Sequence, residues 1–326
     1  MGDTPATNRH AVIDLIAART ASRSRPGARD DGSRLALVIE GGGMRGVISG
    51  GMALALEDHG LRDVFDDVYG ASAGTLNGAW FVGGAARQGL PAWTDPVLRT
   101  AAIRKRNLLR RRPLVDGVFL TDVVYEEMTP MPFDRVITSD VQLHPMATDA
   151  SSGLPVDLAP FVNDISTFKL AVRASTCLPL MSGAPVALAG TRFFDAGLSE
   201  AVPFRTAIKQ GVTHVLVLRS RRQDEQESSE GGRTAAVVAR YLSRHSPEVA
   251  AAFLERPARL IADDAELDRM EVDGAAGTAL LSVRPAPGTP RIGRLERDNA
   301  RILAGLEAGQ DAIRKVMPEV APSKDG

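Results

Sequence analysis

Phe65-Asp66-Asp67-Val68-Tyr69-Gly70-Ala71-Ser72-Ala73-Gly74-Thr75 is the stretch on which the fold turns. Its first five residues read as a short buried strand entered from acidic residues. The run from Thr75 to Val82 (TLNGAWFV) reads as the start of a largely apolar helix. Between them stands a serine with glycine two residues away on each side, Gly70 and Gly74. Strand, serine, helix is the order of a strained turn that holds a hydroxyl in the open, a nucleophile elbow. A match to G-x-S-x-G alone is expected about 0.2 times by chance at this composition, so the flanks carry the argument. The competing reading is a glycine-rich connection with an idle serine.

Some thirty residues upstream, the apolar run Leu35 to Ile39 precedes Gly41-Gly42-Gly43-Met44-Arg45-Gly46. A glycine-rich turn after a strand can aim several backbone N–H groups at an anion. Gly41, Gly43 and Gly46 also fit the dinucleotide fingerprint G-x-G-x-x-G, which requires an acid at the end of the next strand. Asp63, Asp66 and Asp67 precede that strand, and its end carries Gly70 and Ser72, so the nucleotide reading fails. Val47 to Glu57 is apolar almost all round and predicts a buried helix, with Gly50 and Gly51 letting it lie close against a sheet. Gly60 ends it.

A serine nucleophile needs a base. Of the five histidines, His10 lies in the N-terminal tail, His59 at a helix end, and His214 at the start of the strand Val215–Leu218. His144, in a strand-like run, and His245, after a polar stretch, stay open as bases. A stronger candidate is Asp195 in Arg192-Phe193-Phe194-Asp195-Ala196-Gly197-Leu198, an acid at the end of an apolar strand followed by small residues. A turn or helix-capping aspartate is the competing use of that pattern.

Taken together, GGGMRG at Gly41, GASAG at Gly70 and DAG at Asp195 resemble, in order, the three motifs of the patatin-like phospholipases. The segments ATDASSG from Ala147, RASTCLPLMSGAPV from Arg173 and EAVPF after Ser199 are also similar to family segments, and the likeness runs from about Leu35 to Leu218. The resemblance implies a Ser72–Asp195 dyad, with Asp195 as direct proton acceptor and N–H groups of the Gly42–Arg45 loop holding the oxyanion. Arg45 would brace that loop or add positive field. The family usually has glycine where this chain has Ala196; a turn requiring positive φ there would be strained by alanine. A carboxylate base also implies a desolvated pocket that raises its pKa.

Composition sets the rest. A chain of 326 residues with 44% apolar content supports one α/β domain, of the three-layer α/β/α type with a mainly parallel central sheet. Net charge of −1 gives no drive toward nucleic acid. The single cysteine, Cys177, reads as a buried small residue, and neither metal nor cofactor is expected. No apolar run is long enough to span a bilayer and no signal-peptide core is seen, so the expected location is cytoplasmic, with possible peripheral membrane contact. Residues 1–33 are expected to be a flexible extension around an amphipathic piece, Val12 to Ala18, ahead of a catalytic domain over 34–320 and a tail at 321–326. Arg221 to Arg233 reads as a polar loop, Ala235 to Leu267 as helical, Thr278 to Val283 as a strand and Leu295 to Val316 as a closing helix. Arg104 to Arg112 carries six basic residues and no acid, a candidate for electrostatic docking on an anionic membrane. The expected activity is lipid acyl-ester hydrolysis. Acyl transfer by the same acyl-enzyme and a non-catalytic lipid-binding module are the alternatives.

Overall fold

The computed structural model describes residues 10–102, 113–225, 232–273 and 277–317. Strands β1 (Leu35–Ile39), β2 (Asp67–Ala71), β3 (Gln142–Asp149), β4 (Pro155–Asp157), β5 (Val186–Leu188), β6 (Thr191–Asp195), β7 (His214–Leu218) and β8 (Ala279–Val283) form one eight-stranded sheet. Its order is β5-β6-β3-β2-β1-β7-β8, with β4 beside β3. The five strands β3, β2, β1, β7 and β8 run parallel, while β4, β5 and β6 add antiparallel pairings at one side.

The buried run Leu-Ala-Leu-Val-Ile of β1 explains why helices cover both faces. Leu35, Leu37 and Ile39 face one cluster, with Val47, Ile48 and Met52 of helix α2 (Gly46–Asp58). Leu76 and Phe81 of α3 (Ala73–Val82) belong to the same cluster. Ala36 and Val38 face the other. Among the remaining helices are α1 (Ala11–Ser22), α4 (Pro96–Ala102), α5 (Ile165–Ser175), α6 (Phe204–Lys209), α7 (Gly232–Leu242), α8 (Pro247–Asp273) and α9 (Asn299–Val316). Phe204 of α6 and Leu267 and Met270 of α8 cover the second face. The result is a three-layer sandwich with a mixed, mostly parallel centre.

Several boundaries differ from the sequence reading. Gly51 of α2 serves a contact with α9, not the sheet: a Cβ on it would meet Leu306 O at 2.0 Å, and one on Gly309 of α9 would meet Ile48 O at 2.0 Å, whereas Gly50 faces Asn77 and Trp93. Backbone-to-backbone approach of this kind leaves no room for any side chain. Residues 10–33 are not a loose extension. Val12, Ile13 and Ile16 of α1 are buried, and the buried Arg19 pairs with Asp31 (2.7 Å) and Asp66 (2.8 Å). Arg29 also pairs with Asp66. The polar residues that suggested flexibility are therefore partners in an ion-pair network. The expected helix 235–267 is two helices: Ser246 accepts the Val249 N–H (3.0 Å) and Pro247 opens the second. The closing helix begins at Asn299, where Asp298 caps it.

Candidate active site

Sheet register brings the elbow and the aspartate together. Ala71 lies opposite Met146, so the chain leaves β2 at Ser72 on a level with Ala147. Ala147 in turn lies opposite Asp195, the last residue of β6. β3 runs past the end of β2, and β6 pairs antiparallel with only its last three residues, so β6 stops at Asp195 before passing the level at which β2 delivers its loop.

Ser72 has φ 54° and ψ −119°, one of four non-glycine residues with positive φ among those described. Holding a serine there costs roughly 1–3 kcal/mol, a strain concentrated at functional sites. The flanking glycines are steric requirements. A Cβ on Gly70 would lie 2.5 Å from Thr75 Cα, and one on Gly74 would lie 2.2 Å from Ile39 O. The elbow is braced from α5: Ser72 N–H donates to Ser175 Oγ (3.0 Å), which also bonds Thr75 Oγ1 (2.7 Å). Ser175 is fully buried. Nothing in the sequence singled it out, because the contact joins residues about a hundred positions apart.

Asp195 is buried, and burial pushes its pKa up; the Ser72 hydroxyl, the Gly197 N–H and the charges of Arg256 and Arg294 act the other way. Oδ1 accepts the Gly197 N–H at 2.8 Å. Oδ2 is buried with no hydrogen bond of ordinary geometry, while the Ser72 hydroxyl is near enough to favour the ionised carboxylate. Resting hydrolase pairs commonly sit looser than loaded ones. Asp195 thus caps its own turn through Oδ1 and leaves Oδ2 free of ordinary hydrogen bonds. Ala196 is not among the residues with positive φ, so alanine costs no backbone strain there. The crowding falls one position later, where a Cβ on Gly197 would sit 2.9 Å from Asp195 Oδ1.

The glycine-rich loop splits into donors that are engaged and donors that are not. Gly41 N–H donates to Ala201 O, Met44 N–H to Arg294 O and Arg45 N–H to Gly42 O. The N–H groups of Gly42 and Gly43 have no hydrogen-bond partner among the described residues. Gly43 has φ 60°, and a Cβ there would lie 2.6 Å from Arg294 O. Arg45 is buried beneath the loop, its Nε 3.3 Å from Ser220 Oγ, which places it as a brace. Gly46 carries the chain into α2, where a Cβ would meet Ala73 at 2.6 Å.

Under this loop lies a cluster that sequence reading missed. Glu40, at the end of β1, accepts Ser220 N–H (2.7 Å) and pairs with Arg219 (3.0 Å) and Arg221 (3.2 Å). All four residues are buried. Burial alone would raise the Glu40 pKa, but the surrounding guanidiniums of Arg219, Arg221 and Arg45 hold it well below the usual carboxylate range. The signal was present as an acid ending one strand and arginines ending its neighbour; Arg221 was read instead as the start of a polar loop.

Ser72, Gly43 and Met44 line a cavity of about 140 Å³, far more than one water requires. Its walls are mainly apolar, from Leu76, Trp80, Trp93, Val124 and Tyr125 among others. Trp93 is fixed by its Nε1 donation to Asn77 Oδ1 (2.9 Å).

The histidines are elsewhere. His144 sits between Asp157 (2.7 Å) and Asp67 (3.0 Å), stacked on Tyr69, towards the amino ends of β2 and β3 and away from Ser72. Burial opposes its protonation, but those two carboxylates outweigh it and raise its pKa. His245 packs its ring on Phe194 and Tyr241. Cys177 is buried, which pushes its thiol up to about 12. The basic run 104–112 lies outside the described residues. No described helix is long and apolar enough to cross a membrane.

A serine elbow beside a buried acid, at the loop end of an α/β sheet and facing an apolar cavity, has the parts of an acyl-ester hydrolase site. Residues 37–208, more than half of the chain, match the family profile described as patatin-like phospholipase, and the chain belongs to that family. Membership implies a lipid acyl hydrolase. The chain is also 29% identical over 198 residues to the uncharacterized protein YjjU of Escherichia coli (strain K12), covering 57% of this chain and 52% of that protein. It therefore spans about half the length of that relative.

Proposed function

We propose that this chain hydrolyses lipid acyl esters with Ser72 as nucleophile and Asp195 as general base. One observation carries the reading: a serine held at positive φ on the wall of an apolar cavity, beside a buried carboxylate whose Oδ2 has no hydrogen-bond partner. An ester carbonyl placed over Ser72 is attacked by Oγ as Asp195 Oδ2 takes the hydroxyl proton. The tetrahedral oxyanion is held by the N–H groups of Gly42 and Gly43, each such donor contributing roughly 3 kcal/mol in other hydrolases. Asp195 returns the proton to the departing alcohol, leaving an acyl-serine. Water, activated by the same carboxylate, then releases the fatty acid and restores Ser72. The acyl chain occupies the cavity, whose apolar walls favour it over water.

Hydrolysis of p-nitrophenyl and glycerol esters tests the reading. Ser72→Ala is expected to lower kcat by about 10⁵-fold or more, and Asp195→Asn by about 10³-fold or more, with both proteins folded. Near-normal turnover in Asp195→Asn would return His245 to consideration. Retained turnover in Ser72→Ala would end the proposal.

A further inference from the structure

Among the described residues, the fixed charges on the cavity wall are of one sign. Among the described residues lining it, the only ionisable groups of fixed charge are Arg99 and Arg294, and no carboxylate joins them. Arg99, from α4, donates through Nη2 to Asn299 Oδ1 (2.9 Å), while its Nε and Nη1 are buried with no hydrogen-bond partner. Buried charged donors without acceptors are costly, and on a cavity wall a ligand oxygen would offset that cost. Arg294 gives its carbonyl to Met44 N–H, and its charge is felt at Asp195, so it stands beside the reacting centre.

The acids nearest in sequence bond backbone N–H groups of their own segments. Asp95 accepts the Val97 and Leu98 N–H groups, and Glu296 accepts those of Arg297 and Asp298. Asp298 caps α9 through the N–H groups of Ala300 and Arg301.

We infer that this site selects acyl esters whose alcohol part is net anionic, the anion being held by Arg99 and Arg294. The inference rests on Ser72 as the attacking residue and on the acyl chain taking the apolar walls of the cavity, which leaves the two arginines to the alcohol part. Guanidinium forks suit a phosphate with several oxygens in one plane of approach. A headgroup that adds a cation to its phosphate brings that cation against two arginines, and a neutral glycerol leaves the Arg99 donors unmatched. Both are therefore poorer substrates.

The test compares octanoyl esters below their critical micelle concentrations, so that surface charge plays no part. Glycerol phosphate and glycerophosphoglycerol esters are expected to exceed the glycerol and glycerophosphocholine esters in kcat/KM by about tenfold or more. Arg99→Met and Arg294→Met should each bring that ratio towards one, chiefly through KM, while Arg99→Lys keeps part of it. Preference for both phosphate esters points to any anionic headgroup; preference for glycerol phosphate alone points to a phosphomonoester. A ratio near one in the wild type, or a ratio that survives both Met substitutions, overturns the inference and leaves the Ser72 reading intact. Calorimetry on Ser72→Ala supplies a readout that does not depend on turnover. Octyl phosphate is expected to bind about tenfold or more tightly than octanol, and to lose that advantage in the Arg99→Met background. Octanoate binding as tightly as octyl phosphate would assign the arginines to the released fatty acid and contradict the proposal.

Discussion

At the scale of single residues, the role proposed for Asp195 pulls against stability. Its carboxyl is buried and its pKa is raised by that burial, so folding favours the protonated form. A group whose folded pKa exceeds its unfolded value contributes stability at low pH that is lost as pH rises through the folded pKa. At neutral pH the charged Asp195 is therefore a burden, and Asp195→Asn should melt at or above the wild-type temperature while losing activity. The same shift sets the pH dependence of catalysis. Asp195 must be ionised to take a proton, so kcat/KM for a soluble ester should fall on the acid side with a midpoint above about 3.9, the free aspartate value. A midpoint at or below that value would argue against this base. Ser175 makes a separate case. Ser175→Ala removes the acceptor of Ser72 N–H and the partner of Thr75 Oγ1, leaving a buried donor unmatched at a cost of about 1–3 kcal/mol. The expected readout is a kcat about tenfold lower with KM little changed, because the elbow loses its brace and the cavity does not.

Secondary-structure elements divide the molecule into a part that presents the site and parts that hold it. Helix α8, beyond the family match, reaches the aspartate turn twice: Arg256 Nε donates to Gly197 O (2.6 Å) and Arg259 Nη2 donates to Leu198 O (2.5 Å). The Arg256 charge also lowers the cost of ionising Asp195. Arg256→Met should move the acid limb of the pH–rate profile upward, and an unmoved limb would reduce Arg256 to a packing role. At the ends of β1 and β7, Glu40→Gln would remove the carboxylate shared by the buried Arg219 and Arg221, leaving Arg219 its pair with Asp264, and cost up to about 3–5 kcal/mol, read as a lower denaturation midpoint. The elements most legible in the sequence were those with one dominant local cause. The run Leu35–Ile39 reads as a strand because it is apolar without interruption, and the elbow reads from Gly70 and Gly74 because no other residue fits beside Thr75 and Ile39. The break between α7 and α8 was missed because Ser246 and Pro247 sit within a continuous helical pattern. The packing of residues 10–33 was missed because its cause is ion pairing with Asp66 from Arg19 and Arg29, partners remote in sequence.

For the whole molecule, the sheet is what converts three separated motifs into one site. The Gly41, Ser72 and Asp195 motifs could be read individually, but their convergence depends on β1 lying beside β2, β2 beside β3, and β6 entering antiparallel. No local pattern encodes that order, and the supporting groups Ser175, Glu40 and Arg256 are consequences of it. In the proposed mechanism this convergence makes Ser72 the nucleophile. The most direct measurement is mass spectrometry of the protein after reaction with an alkyl fluorophosphonate, with the modified peptide sequenced. One adduct is expected, on Ser72, absent from Ser72→Ala and formed far more slowly in Asp195→Asn. An adduct on any other residue, or labelling of Ser72→Ala at the wild-type rate, would contradict it.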